Sequence, residues 1–405
     1  MNLFINKGLA SGIVDAPPSK SMAHRLLISA SLAQGESRIK GISSCQDVLA
    51  TLSCLKALGI DAVLDGDDVI VKGKDFKSLT PNEPLDCNES GSTLRFLIPL
   101  ALVLGKSVKF AGSKTLLQRP LSVYEELCKE KNLSFKNNGQ VISVKGPLRG
   151  GEYTVVGNIS SQFISGLLFA LPLLEKDSKI NVLPPIESKS YIEMTRDAQA
   201  QFGVNSYWLD DHTLFIPGKQ SYKAQSLSVE GDYSGTAFIE ALNLFDGSVK
   251  INGLKEDTIQ GDAVYQKYFD MLSKGVATIH IGDCPDLGPV LFAVAAAKHG
   301  GVFSGTKRLK IKESDRASAM AQELKKFGTA VTVFEDKVVV YPVDFHSPSE
   351  EITCHNDHRI AMSCAILLTL TGGKINGVEC VKKSYPNFFE HLKQLGIEVR
   401  EDETR

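Results

Sequence analysis

The stretch from His24 to Val71, HRLLISASLAQGESRIKGISSCQDVLATLSCLKALGIDAVLDGDDVIV, decides the fold. From His24 to Ala33 it is apolar on nearly every side of a helix, so that helix must be buried all round. A short strand pattern, S-R-I-K-G-I, follows beside Gly41. A more polar helix, D-V-L-A-T-L-S-C-L-K-A-L-G, then ends at Gly59, as a C-cap should. The stretch closes on V-L-D-G-D-D-V-I-V, whose alternation and polar tip read as a hairpin.

The same unit recurs along the chain at a spacing of about seventy residues. Apolar helix patterns open again at Leu94, Phe163, Ala237, Val290 and Ile360. Hairpin strands that alternate leave one sheet face in water. Together these features predict helices inside and sheets outside, the reverse of a doubly wound nucleotide fold. Six such units exceed one core, so two lobes of three units each are expected. The cut falls near Ser226 to Ser234. The strands L-F-I-N and G-I-V-D, which precede the first helix without a nearby partner, are expected to complete the second lobe. That places residues 18–229 in one lobe, and residues 1–17 with 230–405 in the other. Ligands are expected in the cleft between them.

Composition narrows the function. Forty-five Lys and Arg against 47 Asp and Glu leave a net charge of -2, which argues against a broad nucleic-acid or membrane surface. No apolar run is long enough to span a bilayer, and no secretory leader is visible. Eight cysteines form no C-x-x-C and no metal-type Cys/His grouping, which points to buried reduced thiols and a cytoplasmic protein.

The chemistry gathers at the mouths of the apolar helices. Pro17-Pro18-Ser19-Lys20-Ser21 leads into the first, with Arg25 a turn further in. Two prolines without N–H groups and no Gly before the Lys exclude a Walker loop. Ser90-Gly91-Ser92-Thr93 opens the second helix with Arg95 in its first turn. Arg119 follows in Q-R-P, and Ser160-Ser161-Gln162 opens the third. A single Ser-type cap is ordinary. Cations beside several helix N-termini are unfavourable unless an anion joins them. The second half adds Asp286, the run Lys310-Ile311-Lys312-Glu313-Ser314-Asp315-Arg316, then Asp357-His358-Arg359 and Lys383-Ser384-Tyr385-Pro386. Pooling Lys20, Arg25, Arg95, Arg119, Lys312, Arg316, Arg359 and Lys383 requires a small, multiply charged anion. Asp286 and Glu313 are the proton-transfer candidates.

In this order, P-S-K-S-x-x-H-R, S-G-S-T-x-R, Q-R-P, S-S-Q-F, S-K-x-Y-I, K-x-K-E-S-D-R, D-H-R and K-S-Y-P resemble the 5-enolpyruvylshikimate-3-phosphate synthase family of enolpyruvyl transferases. The likeness runs over essentially the whole chain. It implies an α/β fold, a two-lobed inverse α/β barrel with three β-α-β-α-β-β repeats per lobe. It further implies transfer of the enolpyruvyl group of phosphoenolpyruvate to the 5-hydroxyl of shikimate 3-phosphate, releasing phosphate. No metal or organic cofactor is implied, and a monomer is expected. By matching position, Lys20, Ser21, Arg25, Ser160, Ser161, Gln162, Ser188, Asp286 and Lys312 would hold shikimate 3-phosphate. Lys20, Gly91, Arg95, Arg119, Gln162, Arg316, Arg359 and Lys383 would hold phosphoenolpyruvate. Asp286 would accept a proton and Glu313 donate one. The related transferase acting on UDP-N-acetylglucosamine is the nearest rival, but it typically has Lys-Asn where this chain has Lys20-Ser21. A non-catalytic phosphometabolite-binding protein would be expected to lack Asp286 or Glu313, and both are present.

Overall fold

The computed structural model describes residues 1–401 apart from 82 and 344. The chain divides into two compact units, Pro18–Glu230 and Met1–Pro17 with Gly231–Arg405.

In the unit Pro18–Glu230, the helices Lys20–Leu32, Gly91–Val103 and Ser161–Ala170 are buried along nearly their whole length. Their only partly exposed residues lie in the first turn: Lys20 and Ser21, Ser92, and Gln162. Apolar side chains on every face commit each helix to the core, so only its N-terminal mouth can meet a ligand. In the other unit, Tyr233–Glu240, Gly288–Ala297 and His358–Thr371 are also buried along nearly their whole length, but their partly exposed residues, Glu240, Ala297, Leu370 and Thr371, lie at the C-terminal ends.

The sheets repeat one scheme. Leu85–Asp86 runs parallel to Ser107–Ala111, which pairs antiparallel with Ile142–Lys145, itself antiparallel to Ser134–Asn137. Glu152–Val156, Ser178–Leu183, Thr213–Ile216 and Tyr207–Trp208 follow the same order, as do Ala277–His280, Gly301–Ser304, Lys337–Val340 and Val331–Val333. Three sheets pair strands from far apart in the chain. Asn2–Ile5 sits between Gly373–Asn376 and Val399–Glu401, filling the place that a hairpin strand fills elsewhere. Tyr222–Lys223 and Ser226–Ser228 run parallel to Ala33–Lys40, from the first repeat. Among the described residues the fourth repeat has no hairpin of its own; Ser248–Asn252 pairs with Ser11–Asp15 instead. Strand burial alternates, as in Glu152–Val156, so one face of the sheet packs on the helices. The eight cysteines are buried free thiols. Among the described residues, no helix is long and apolar enough to cross a membrane.

Candidate active site

At the first helix mouth, Ser19 caps the helix by accepting the N–H of Met22 at 3.3 Å. Lys20 Nζ lies 2.9 Å from Asp47 Oδ2. One turn inward, Arg25 is 2% exposed and held in a fixed orientation. Its Nε donates to Thr195 Oγ1 at 2.8 Å, and its two Nη atoms donate to the carbonyls of Ser21 and Tyr191 at 2.6 and 2.9 Å. The guanidinium also lies over the Phe96 ring, 5.2 Å from its centroid. Burial pulls the Arg25 pKa down to about 10. An anionic ligand would reverse that penalty. Ser21 stands in the first turn of this helix. Ser188 (φ 57) precedes the helix Lys189–Gln201, which carries Tyr191 and Thr195.

At the second mouth, Gly91, Arg95, Arg119 and Gln162 converge. Arg95 Nη1 donates to Gln162 Oε1 at 2.7 Å, and Gln162 Nε2 donates to Ser92 Oγ at 2.9 Å. A Cβ on Gly91 would lie 3.1 Å from Arg119 Nη1 and 3.5 Å from Arg95 Nη1, so glycine leaves room for the guanidinium groups. Pro99 explains part of this placement. It lacks the N–H that would pair with the Arg95 carbonyl one turn back. Tyr124 supplies the missing donor, its hydroxyl reaching Arg95 O at 2.7 Å and Phe163 O at 3.1 Å. Gly166 makes that approach possible, since a Cβ there would lie 2.3 Å from the Tyr124 oxygen. At the third mouth, Ser160 caps the helix by accepting the Gln162 N–H at 3.3 Å, and Ser161 is its first residue.

The other unit holds the acids. Asp286, in the short turn Pro285–Leu287, receives three cations: Lys312 Nζ at 3.0 Å, Arg316 Nη1 at 2.8 Å and Arg359 Nη2 at 3.3 Å. Burial alone would raise its pKa, but Arg359, Lys312 and Arg316 outweigh that and hold the carboxyl well below the usual range. The balance on Lys312 runs the other way. Burial, assisted by Arg308 and Arg316, brings its pKa to about 8 against the pull of Asp286. Arg316 is 2% exposed and is clamped by Asp357, with Nε on Oδ2 at 2.8 Å. Glu313 Oε2 lies 2.9 Å from His358 Nδ1. Lys383 Nζ donates to Asn356 O at 2.6 Å.

Glu313, Asp357 and His358 place potential metal ligands within 4.8 Å of one another. The protein's own donors already occupy Asp357. Its carboxylate receives Arg316 Nε, Ser314 Oγ and the Arg359 N–H at 2.8, 3.0 and 2.9 Å. A metal ion here would have to displace a buried guanidinium, so the donor set fits an arginine anchor.

The sequence-expected residues therefore fall into defined groups. Gly91, Arg95, Arg119 and Gln162 meet in one unit, and Asp286, Lys312, Arg316 and Arg359 in the other. The sequence does not mark Asp47 beneath Lys20 or Thr195 beneath Arg25, and it gives Asp357 as part of D-H-R without its role beneath Arg316. Asp357 was visible as the residue before a buried helix, where an N-cap acid is ordinary.

A family model described as EPSP synthase (3-phosphoshikimate 1-carboxyvinyltransferase) matches residues 6–392. A 3-phosphoshikimate 1-carboxyvinyltransferase of Clostridium perfringens (strain 13 / Type A) is 40% identical, over 96% of this chain and 97% of the relative. The protein of that name from Clostridium kluyveri is 38% identical, over 98% of each chain. In fold, the chain is similar to an EPSP synthase from Acinetobacter baumannii, with a TM-score of 0.80 at 22% identity over 99% of this chain and 100% of the other.

Proposed function

The chain belongs to the EPSP synthase (3-phosphoshikimate 1-carboxyvinyltransferase) family, and on that premise we propose how its residues transfer the enolpyruvyl group of phosphoenolpyruvate to shikimate 3-phosphate. The reaction releases phosphate and belongs to the shikimate pathway of aromatic amino-acid synthesis. Lys20, Ser21, Arg25, Ser160, Ser161, Gln162, Ser188, Asp286 and Lys312 hold shikimate 3-phosphate. Lys20, Gly91, Arg95, Arg119, Gln162, Arg316, Arg359 and Lys383 hold phosphoenolpyruvate. The repeated sheet order and the buried helices support a two-lobed inverse α/β barrel of three repeats per lobe. The reading includes a cytoplasmic monomer that needs no metal or organic cofactor.

One observation carries the mechanism: Asp286 is ionised among three cations, Lys312, Arg316 and Arg359. Alone, those cations make it a weak base. Once substrate phosphate and carboxylate groups share them, their hold on Asp286 relaxes and its basicity rises. Asp286 then takes the proton of the attacking 5-hydroxyl. Glu313, 2.9 Å from His358 Nδ1, delivers a proton to the methylene carbon of phosphoenolpyruvate. That leaves C2 electrophilic, and the substrate oxygen adds to it. The tetrahedral adduct then loses phosphate, which takes the proton held by Asp286, and a methyl proton, which returns to Glu313, so that the double bond and both carboxyl groups are restored. The surrounding cations stabilise the developing charge.

Asp286→Asn tests this reading. Turnover should fall by roughly a hundred- to ten-thousandfold, while calorimetry finds shikimate 3-phosphate binding within about tenfold of wild type. Equal losses in turnover and binding would make Asp286 a binding residue only.

A further inference from the structure

A line of buried hydroxyls joins the first helix mouth to the second. His24 Nδ1 lies 2.7 Å from Thr51 Oγ1, and Thr51 Oγ1 lies 2.7 Å from Thr93 Oγ1. Thr93 Oγ1 in turn lies 2.7 Å from Ser90 Oγ, and the Thr93 N–H reaches the same oxygen at 3.2 Å. All four residues are 0% exposed. Thr51 stands on the helix Gln46–Ala57, one turn beyond Asp47, whose carboxylate holds Lys20 and whose carbonyl lies 3.4 Å from Thr93 Oγ1.

The direction of the line follows from its buried end. His24 Nε2 is buried without a hydrogen-bond partner. A bare ring nitrogen there leaves no buried N–H unmet, so the proton belongs on Nδ1. His24 then donates to Thr51, Thr51 to Thr93, and Thr93 to Ser90. Burial, then Lys20 and Arg25, hold the His24 pKa well below its usual value, so the ring stays neutral. Ser90 is the N-cap whose backbone leads into Gly91.

We infer that Thr51 is a positioning residue for phosphoenolpyruvate: its hydroxyl fixes the Ser90–Gly91 turn relative to the Lys20 helix, so that the Gly91 and Arg95 donors are aligned before the substrate arrives. This rests on the assignment of Gly91 and Arg95 to phosphoenolpyruvate made above. Thr51 itself touches no substrate. It stands in the middle of the line, and no other hydroxyl in the described hydrogen bonds joins His24 to Thr93.

Steady-state kinetics on Thr51→Val, Thr51→Ser, Thr93→Val and the Val/Val double variant test it. Thr51→Val keeps the shape and removes the hydroxyl. The KM for phosphoenolpyruvate should rise about tenfold, the worth of one buried hydrogen bond, with the KM for shikimate 3-phosphate within about twofold. Thr51→Ser should restore it. Both Val variants break one line, so the double variant should lose little more than either single variant. The proposal is overturned if a folded Thr51→Val (checked by urea midpoint) keeps its phosphoenolpyruvate KM, or if the two Val effects add fully. Should Thr51→Val not fold, Thr93→Val carries the same readout. Arg95→Lys separates the two claims. If it leaves the phosphoenolpyruvate KM unmoved, the site assignment has failed; if it raises that KM while the Val variants do not, only the positioning role has failed.

Discussion

Arg316 and Asp357 form a buried, two-point ion pair, with Nε on Oδ2 at 2.8 Å and Nη2 on Oδ1 at 3.3 Å. Arg316 is 2% exposed and Asp357 0%. The pair leaves Arg316 Nη1 aimed at Asp286, 2.8 Å away. A rigid anchor on one side of a guanidinium sets its free edge for a ligand on the other. Removing one partner of such a pair strands a buried charge, at a cost of about 3–5 kcal/mol. Asp357→Asn should therefore lower the urea midpoint substantially and raise the KM for phosphoenolpyruvate. Burial raises the Asp357 pKa, but Arg316 and His358 outweigh it and the folded value is depressed. Its stabilising effect is therefore present above the unfolded carboxylate value of about 3.9 and is lost as the pH falls through the lower folded value. An unchanged midpoint in the variant at neutral pH would contradict this.

Lys312 couples two opposite pH trends. Its pKa is brought to about 8 chiefly by burial. Only the ammonium form attracts a phosphate, so kcat/KM for shikimate 3-phosphate should fall as the pH rises through about 8. Stability moves the other way. The unfolded lysine, with a pKa of about 10.4, binds the proton more tightly, so this group's contribution to stability grows as the pH rises from the folded value to the unfolded one. Lys312→Arg should remove the kinetic limb, because arginine stays charged. A limb that persists unchanged in the variant would assign it to another group.

Gly91 separates fit from stability. A methyl group there meets Arg119 Nη1 at 3.1 Å. Its backbone does not need the left-handed region, so Gly91→Ala removes unfolded-state freedom and should hold or slightly raise the melting temperature. The KM for phosphoenolpyruvate should nevertheless rise, as Arg119 and Arg95 are pushed from their places. A variant of lower stability and unaltered KM would reverse both expectations.

The single tryptophan makes a built-in reporter. Lys189 Nζ lies over the Trp208 ring, 4.4 Å from its centroid, and Trp208 Nε1 donates to Glu193 at 2.7 Å. Lys189 adjoins Ser188 and opens the helix that holds Arg25. Shikimate 3-phosphate should therefore change Trp208 emission, and phosphoenolpyruvate alone should not. Lys189→Met should blunt the response while leaving binding by calorimetry in place. No emission change on saturating shikimate 3-phosphate would place that substrate away from Ser188.

The buried helices were legible because residues such as Phe96 to Leu104 are apolar on all faces, a pattern few other environments tolerate. The helix-mouth residues were legible because cations beside N-caps run against the helix dipole. Their supports were not. Thr195 lies 170 residues from the Arg25 that it orients. Nothing local marks Thr51 apart from any helical threonine. The borrowed strands were legible in part: that residues 2–5 and 11–15 pair with the second half of the chain was expected, but the sheet each enters was not. Asn2–Ile5 reads as a strand, but its place between Gly373–Asn376 and Val399–Glu401 is set by which sheet lacks an inner strand. The pairing of Tyr222–Lys223 with Ala33–Lys40 is equally a property of the closed unit.

The most direct measurement is phosphate release from phosphoenolpyruvate, with shikimate 3-phosphate and UDP-N-acetylglucosamine offered separately. Release should depend on shikimate 3-phosphate and be absent with the nucleotide sugar. Release with the nucleotide sugar alone, or none with shikimate 3-phosphate, would contradict it.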